Sequence, residues 1–350
     1  MKTRIVQLIL ILTLCFPATS LVAQDADLST AGGYMNAISN EYEQISQDML
    51  SYISAAAHSR RAKKIEKKRK EVVGTMSEAI RKVKRMPGFE GDNTYRDAVL
   101  AYLNVRYSVM NEDYARIVDM EEVAQQSYDE MEAYLNMEAA IDRKLDAAHL
   151  EFAEAQRVFA SANNINLVSS DDKLSEKMKK AGQVTEYGNK LFLIYFKVKI
   201  EEKHFIDAIQ SGDMNALEQR RTSMVKYAEE GFEKLREAGS FDGDNSLLVA
   251  VNDILKFYQK EASTDGPRFE NFYLIKDQFE QVKATLEGKK PSERTQADID
   301  TYNDLVAKYN AGIKAYNKMI SDGNKNRTEV MERYEKTRGK FRNKHTPRYR

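Results

Sequence analysis

The feature that most constrains this chain is that it repeats itself at the scale of a domain. Gly88-Phe89-Glu90-Gly91-Asp92-Asn93 returns 152 residues later as Ser240-Phe241-Asp242-Gly243-Asp244-Asn245. At the same offset Glu78 meets Glu230, Ile80 meets Phe232, Lys82 meets Lys234, Val83 meets Leu235, Ala98 meets Ala250, Val99 meets Val251 and Leu103 meets Leu255. Further upstream Tyr34, Asn36 and Tyr42 match Tyr187, Asn189 and Tyr195 once the offset grows by one residue, as a gap in a loop would leave it. Solenoid repeats run to about 20–50 residues. This period is the size of a whole domain, so the chain reads as one unit built twice.

Composition says which kind of unit. The 350 residues include no Trp and 5 Pro, and Ala, Glu, Lys, Met and Tyr are frequent, which favours helix over strand. Tyr34, Ile38, Tyr42, Ile45, Met49 and Tyr52 step by four and three, one face of a helix beginning near Tyr34. A second helix is expected from Arg60 to Met86, with Val72, Val73, Met76, Ile80 and Val83 as its buried stripe. A third is expected from Tyr95 to Met110, with Asn111-Glu112-Asp113 resembling a new helix start. Ile141, Leu145, Ala148, Phe152, Ala155 and Phe159 continue the rhythm to the end of the first copy. Because Gly288-Lys289-Lys290-Pro291-Ser292 interrupts the second copy, a kink or break is expected near Asn136. Copy two reads as helices near 173–211, 213–238, 245–262, 267–287 and 292–321. Ser263-Thr264-Asp265-Gly266-Pro267 reads as a turn and Asp322-Gly323-Asn324 as a stop, with a further helical piece near 326–342. The expected fold is all-α: two tandem, related antiparallel helical bundles of four to five helices each. The expected organisation is a signal peptide (1–24), bundle repeat 1 (25–165), bundle repeat 2 (166–324) and a basic C-terminal helix or tail (325–350).

The first 24 residues look like an export signal, with Lys2 and Arg4 followed by an apolar stretch from Ile5 to Phe16 that is too short to span a bilayer. Cleavage after Ser20 or after Ala23 would both suit it. The only cysteine, Cys15, lies inside that stretch. The mature chain is therefore expected to carry no disulfide, thiolate metal site or cysteine nucleophile. No later apolar run is long enough for a membrane span. The expected location is the periplasm or cell surface.

Charge is balanced overall, with 54 Lys+Arg against 54 Asp+Glu, so no nucleic-acid partner is expected. Locally it is segregated. Residues 60–70 carry a net charge of +7, residues 112–156 a net of −10, and the tail from Lys325 to Arg350 a net of +7. The favoured reading of the first two is a basic helix beside an acidic one in the same bundle. The tail is expected to be solvated and frayed, the alternative being contact with anionic glycan or lipid head groups.

Chemistry-bearing patterns are few. The recurring turn reads as structural: Phe89 and Phe241 as apolar anchors, Gly91 and Gly243 at positive φ, and Asn93 and Asn245 capping the next helix. The alternative is a cation held by Glu90, Asp92 and Asn93, or by Asp242, Asp244 and Asn245. An EF-hand loop, however, needs Gly at its sixth position, where Tyr95 and Leu247 stand. Glu201-x-x-His204 and, more loosely, Asp146-x-x-His149 resemble halves of a carboxylate-bridged metal centre. No Gly-rich phosphate loop, zinc motif or catalytic triad can be nominated, and no cofactor is expected.

The Gly-Phe-acid-Gly-Asp turn of Gly88 to Asn93 and of Ser240 to Asn245, within an exported helical chain, resembles a family of bacterial surface proteins of uncharacterised function known from spirochaetes and bacteroidete-type bacteria. The Leu-Val-Ala-Gln ending of the signal is similar to those of the second group. The resemblance implies an all-helical exported protein and assigns no catalytic residue. The expected function is thus non-enzymatic: a structural or partner-binding protein of the bacterial envelope, its partner an envelope protein or glycan. The alternatives are a ligand- or metal-binding bundle using Glu201, His204, Asp146 and His149, and an envelope protein held by its basic tail.

Overall fold

The computed structural model describes residues 27–59, 61–113, 124, 126–167 and 173–348. The signal segment with Cys15, and Ser169 and Ser170 at the join between copies, lie outside them. The protein is all-α, and no strand occurs among the described residues. Its helices are α1 (Ala31–His58), α2 (Ala62–Arg85), α3 (Thr94–Ser108), α4 (Tyr128–Ala162), α5 (Lys173–Ser211), α6 (Met214–Ala238), α7 (Ser246–Lys260), α8 (Gly266–Gly288) and α9 (Gln296–His345). The chain divides into two compact units, one of Met1–Asn189 with Lys340–Arg350, the other of Lys190–Gly339. No helix among the described residues is long and apolar enough to cross a membrane.

The repeat is written in the element boundaries. α3 and α7 begin and end 152 residues apart, α2 and α6 begin 152 residues apart, and α1 and α5 end 153 apart. Both α3 and α7 run without a break into a five-residue π-helical segment, Val109–Asp113 in the first copy and Glu261–Asp265 in the second. Each π segment turns its first two residues inward: Val109 and Met110, then Glu261 and Ala262.

Burial explains the helices. On α1, Tyr34, Ile38, Tyr42, Ile45, Met49 and Tyr52 are all buried, each such side chain worth about 1.5–3 kcal/mol when fully withdrawn from water. On α2 the fully buried row is Val72, Met76, Ala79 and Val83, with Val73 and Ile80 at its half-buried edges. The first unit's core is aromatic: Tyr102 stacks on Phe152 at 5.1 Å and Tyr95 on Phe159 at 4.7 Å. In the second, α8 and α9 form an antiparallel seam. Phe279 meets Tyr302 and Tyr309, while Phe272 meets Tyr309 and Tyr316. Side chains cap helix starts: Thr30 accepts from the Gly33 amide, Ser127 from Glu130, Asp213 from Ala216 and Thr295 from Asp298.

Four expectations about the path of the chain are corrected. α4 runs unbroken through Asn136; its start is fixed instead by Ser127. Asn111-Glu112-Asp113 does not begin a helix but lies in the first π segment. Ser263 to Asp265 likewise lies in the second, which leads directly into α8. α9 passes straight through Asp322-Gly323-Asn324 to His345. A helical Gly costs about 1 kcal/mol, and here Lys318–Asp322 and Arg327–Asn324 bonds brace the same turn. The tail is not frayed either, because Phe341 is buried, stacked on Tyr187 at 5.7 Å.

The recurring turn has the same conformation twice. Glu90 and Gly91 have φ of 51° and 88°, Asp242 and Gly243 of 50° and 77°. Phe89 is an anchor as expected, 5.6 Å from the Tyr34 ring and 5.4 Å from Phe159, and Phe241 is half-buried. The capping expectation is corrected. Asn93 and Asn245 occupy the cap position, but their side chains make no cap bond. The preceding aspartates take that role: Asp92 Oδ1 accepts from the Thr94 amide at 2.8 Å, and Asp244 Oδ1 from the Ser246 amide at 2.9 Å. In urea titrations Asp92→Ala is therefore expected to lower the midpoint more than Asn93→Ala does. Gly91→Ala is expected to cost about 1 kcal/mol for its left-handed backbone. Equal effects of the two side-chain truncations would remove this assignment.

Candidate functional site

Stripes that read as apolar are interrupted in both units by buried charge. On α5 the inward row is Leu191, Tyr195, Val198, Glu202, Phe205 and Ile209, and every member is buried, Glu202 included. Glu261 enters the same core from the second π segment. Arg327 of α9 reaches both: its Nε donates to Glu202, its Nη2 donates to Glu261 Oε1 at 2.6 Å, and its Nη1 donates to Asn324 at 2.8 Å. Two carboxyls thus share one guanidinium. Burial, reinforced by the Glu202 charge, pushes the Glu261 carboxyl up to about 8, above the usual carboxylate range. Burial also raises Glu202, against the pull of Arg327. With Glu261 protonated the triad is neutral at pH 7, the cheapest state for such a group away from water.

The first unit buries a charge of a different kind. Arg106 of α3 is 0% exposed, and its Nε, Nη1 and Nη2 have no hydrogen-bond partner among the described residues. Its guanidinium carbon lies 5.5 Å from the Tyr102 ring centroid, so a cation–π contact is its nearest compensation. His149 of α4 faces the same rings, 5.8 Å from Tyr102 and 6.4 Å from Phe152. Burial, and then the Arg106 charge, hold its imidazole below the usual range.

The expected metal ligands do not converge. Glu201 and His204 lie on α5 in the second unit, and the Glu201 carboxylate accepts from Arg220 at 3.1 Å. Asp146 and His149 lie on α4 in the first, Asp146 at the surface and His149 against the aromatic core. Among the described residues no three His, Cys, Asp or Glu side chains come together in a way that could hold a metal ion. At the recurring turn Asp92 Oδ1 is taken up by the Thr94 amide and hydroxyl.

Sequence reasoning missed Glu202, Glu261, Arg327 and Arg106. All four carried a readable signal. Glu202 sits in step with Val198 and Phe205, Glu261 in step with Ile254 and Tyr258, Arg106 in step with Tyr102 and Val109, and Arg327 in step with Val330 and Tyr334. A charge at an apolar register position marks a buried ionic group. No protein-family model, curated protein or solved structure matches this chain.

Proposed function

We propose that this chain is an exported, non-enzymatic helical protein of the bacterial envelope that acts by presenting surfaces to an envelope protein or glycan. One observation carries the reading: what recurs in the two copies is frame, and what differs is buried ionic chemistry. The turn, the π segment and the helix ends recur at an offset of 152 or 153 residues. Glu202 answers to Met49, Glu261 to Val109, and Tyr258 to Arg106, so neither copy repeats the other's charged group. A duplicated catalyst would be expected to keep its reacting groups in at least one recognisable pair; a duplicated scaffold needs only its joints. The signal-like first residues and the likeness to exported helical surface proteins support the compartment.

The test is fractionation of the native cell with an antibody to the mature chain, mass spectrometry of its N-terminus, and crosslinking pull-down from intact envelope. A processed chain in the envelope fraction, crosslinked to a defined partner, is the expected result. An unprocessed cytoplasmic chain would remove the reading.

A further inference from the structure

The last two turns of α1 and the first two turns of α2 enclose a cleft of about 450 Å³ within the first unit. Its walls are two helix faces. Ser51, Ser54, Ala55 and His58 follow the three–four–seven spacing of one side of α1, and Arg61, Lys64 and Lys68 follow that of one side of α2. Its described lining thus holds three cations, an imidazole and serine hydroxyls, and no carboxylate. Lys68 is committed, its ammonium 2.6 Å from Glu71. The ion pairs found along this basic stretch, those of Lys67, Lys68, Arg69 and Lys70, are made with Glu66 and Glu71 of the same helix. None of these four pairs reaches the acidic stretch 112–156. Arg61 and Lys64 make no ion pair among the described residues, and both are exposed.

The backbone adds to the same field. Arg61 occupies the cap position of α2 but makes no side-chain cap bond. The Arg61 amide is taken by Ser59 Oγ at 3.1 Å and the Lys64 amide by the Arg61 carbonyl at 3.0 Å, so what the start of α2 adds is the positive end of its dipole, which favours an anion. The far wall is held still. His58 Nδ1 is 2.9 Å from Asn343 Oδ1, Arg348 donates to that same oxygen at 2.9 Å, and Arg342 donates to the Ala56 carbonyl at 3.2 Å. The C-terminal segment thereby braces the end of α1 and brings further positive charge near the cleft.

We propose that this cleft binds a phosphate-bearing anion. The Arg61 guanidinium and Lys64 ammonium supply the counter-charge, the Ser51 and Ser54 hydroxyls donate neutral hydrogen bonds, and the positive end of the α2 dipole adds to the field. A guanidinium, an ammonium and hydroxyls around a helix start match tetrahedral oxyanions. The volume falls within the range of small-molecule sites, about 300–1,000 Å³, and exceeds what a bare phosphate needs. The ligand is therefore a phosphorylated small molecule or the headgroup of an anionic phospholipid. This inference goes beyond the proposed function and does not depend on it.

The test uses the full mature chain with three probes: glycerol 3-phosphate and pyrophosphate by calorimetry, and vesicles containing phosphatidylglycerol by co-sedimentation, with phosphatidylcholine vesicles as reference. Arg61→Gln/Lys64→Gln removes both free cations from exposed positions. Lys67→Gln removes one charge from the same helix outside the cleft. The expected result is binding to at least one phosphate probe, weakened about tenfold or more by the double variant and little changed by Lys67→Gln. Binding of the soluble probes alone identifies a free phosphate compound, and binding of the anionic vesicles alone identifies a headgroup. Absence of binding to every probe overturns the proposal, as does binding that the double variant leaves unchanged or that Lys67→Gln weakens equally.

Discussion

Replacing Arg106 with methionine is expected to make the protein more stable, against the usual direction of core substitutions. The guanidinium is fully buried and none of its nitrogens has a hydrogen-bond partner among the described residues. It cannot shed its charge, because arginine stays protonated in proteins. The aromatic face of Tyr102 returns only part of the hydration it has lost. Methionine has a similar reach, no charge, and the flexibility to fill an irregular space. Exchanging buried ionic groups for apolar ones of like volume commonly stabilises by ~1–4 kcal/mol. At about 2–4 °C per kcal/mol for a unit of this size, calorimetry will resolve the change. A second readout is independent of stability. The Arg106 charge helps hold His149 below its usual range, so its imidazole resonances should titrate at higher pH in the variant. A clear loss of stability in Arg106→Met would mean that the guanidinium has a partner which the native protein supplies.

The second large effect concerns pH. In the unfolded chain a glutamate releases its proton near 4.5, whereas folded Glu261 keeps it to about pH 8. Between those values the unfolded state has lost a proton that the folded state retains, so the free energy of unfolding falls as pH rises. Stability that is complete below about 4.5 is lost progressively to about pH 8 and then levels off. A shift of this size corresponds to several kcal/mol, on the order of 1.4 per pH unit. Glu261→Gln keeps an acceptor for Arg327 and cannot ionise. Urea titrations across this range should show the variant gaining on the parent from pH 4.5 upward, with the gap constant above about 8. Two parallel curves would show that Glu261 is ionised throughout, balanced by Arg327.

Much of the fold is legible in the sequence, for physical reasons that particular residues make plain. The α1 stripe is readable because six large apolar side chains recur at helical spacing, and all six are buried. The helix ends shared by the two copies are readable because duplication shows them twice. Punctuation is where the sequence misleads. Gly266-Pro267 looks like a chain reversal, yet Gly266 is there for close approach: a Cβ would come 2.5 Å from Arg221 Cδ. Pro267 sits in the first turn of α8, where a missing N–H costs nothing. At the recurring turn, asparagine looks like the cap that aspartate in fact makes, because adjacent residues compete for the same amides and only geometry decides. The candidate sites are half legible. Arg106, Glu202 and Glu261 all stand in apolar registers, Glu261 three residues after the buried Tyr258, but nothing in a register says which buried charges meet: Arg327 joins Glu202 and Glu261 from a helix far along the chain.

The extra residue of the second π segment sets the rotational phase of everything after it. A π segment adds one residue to a helical run, and one residue is about 100° of rotation. Deleting a single position between Glu261 and Asp265 would leave α8 its length and its sequence, but would turn Phe269, Phe272 and Phe279 about a quarter of the way around their axis. They would then face away from Tyr302, Tyr309 and Tyr316. The same irregularity stands at the matching place in the other copy. One inserted position thus carries the pairing of a whole helix, and it is held at the same offset in both copies.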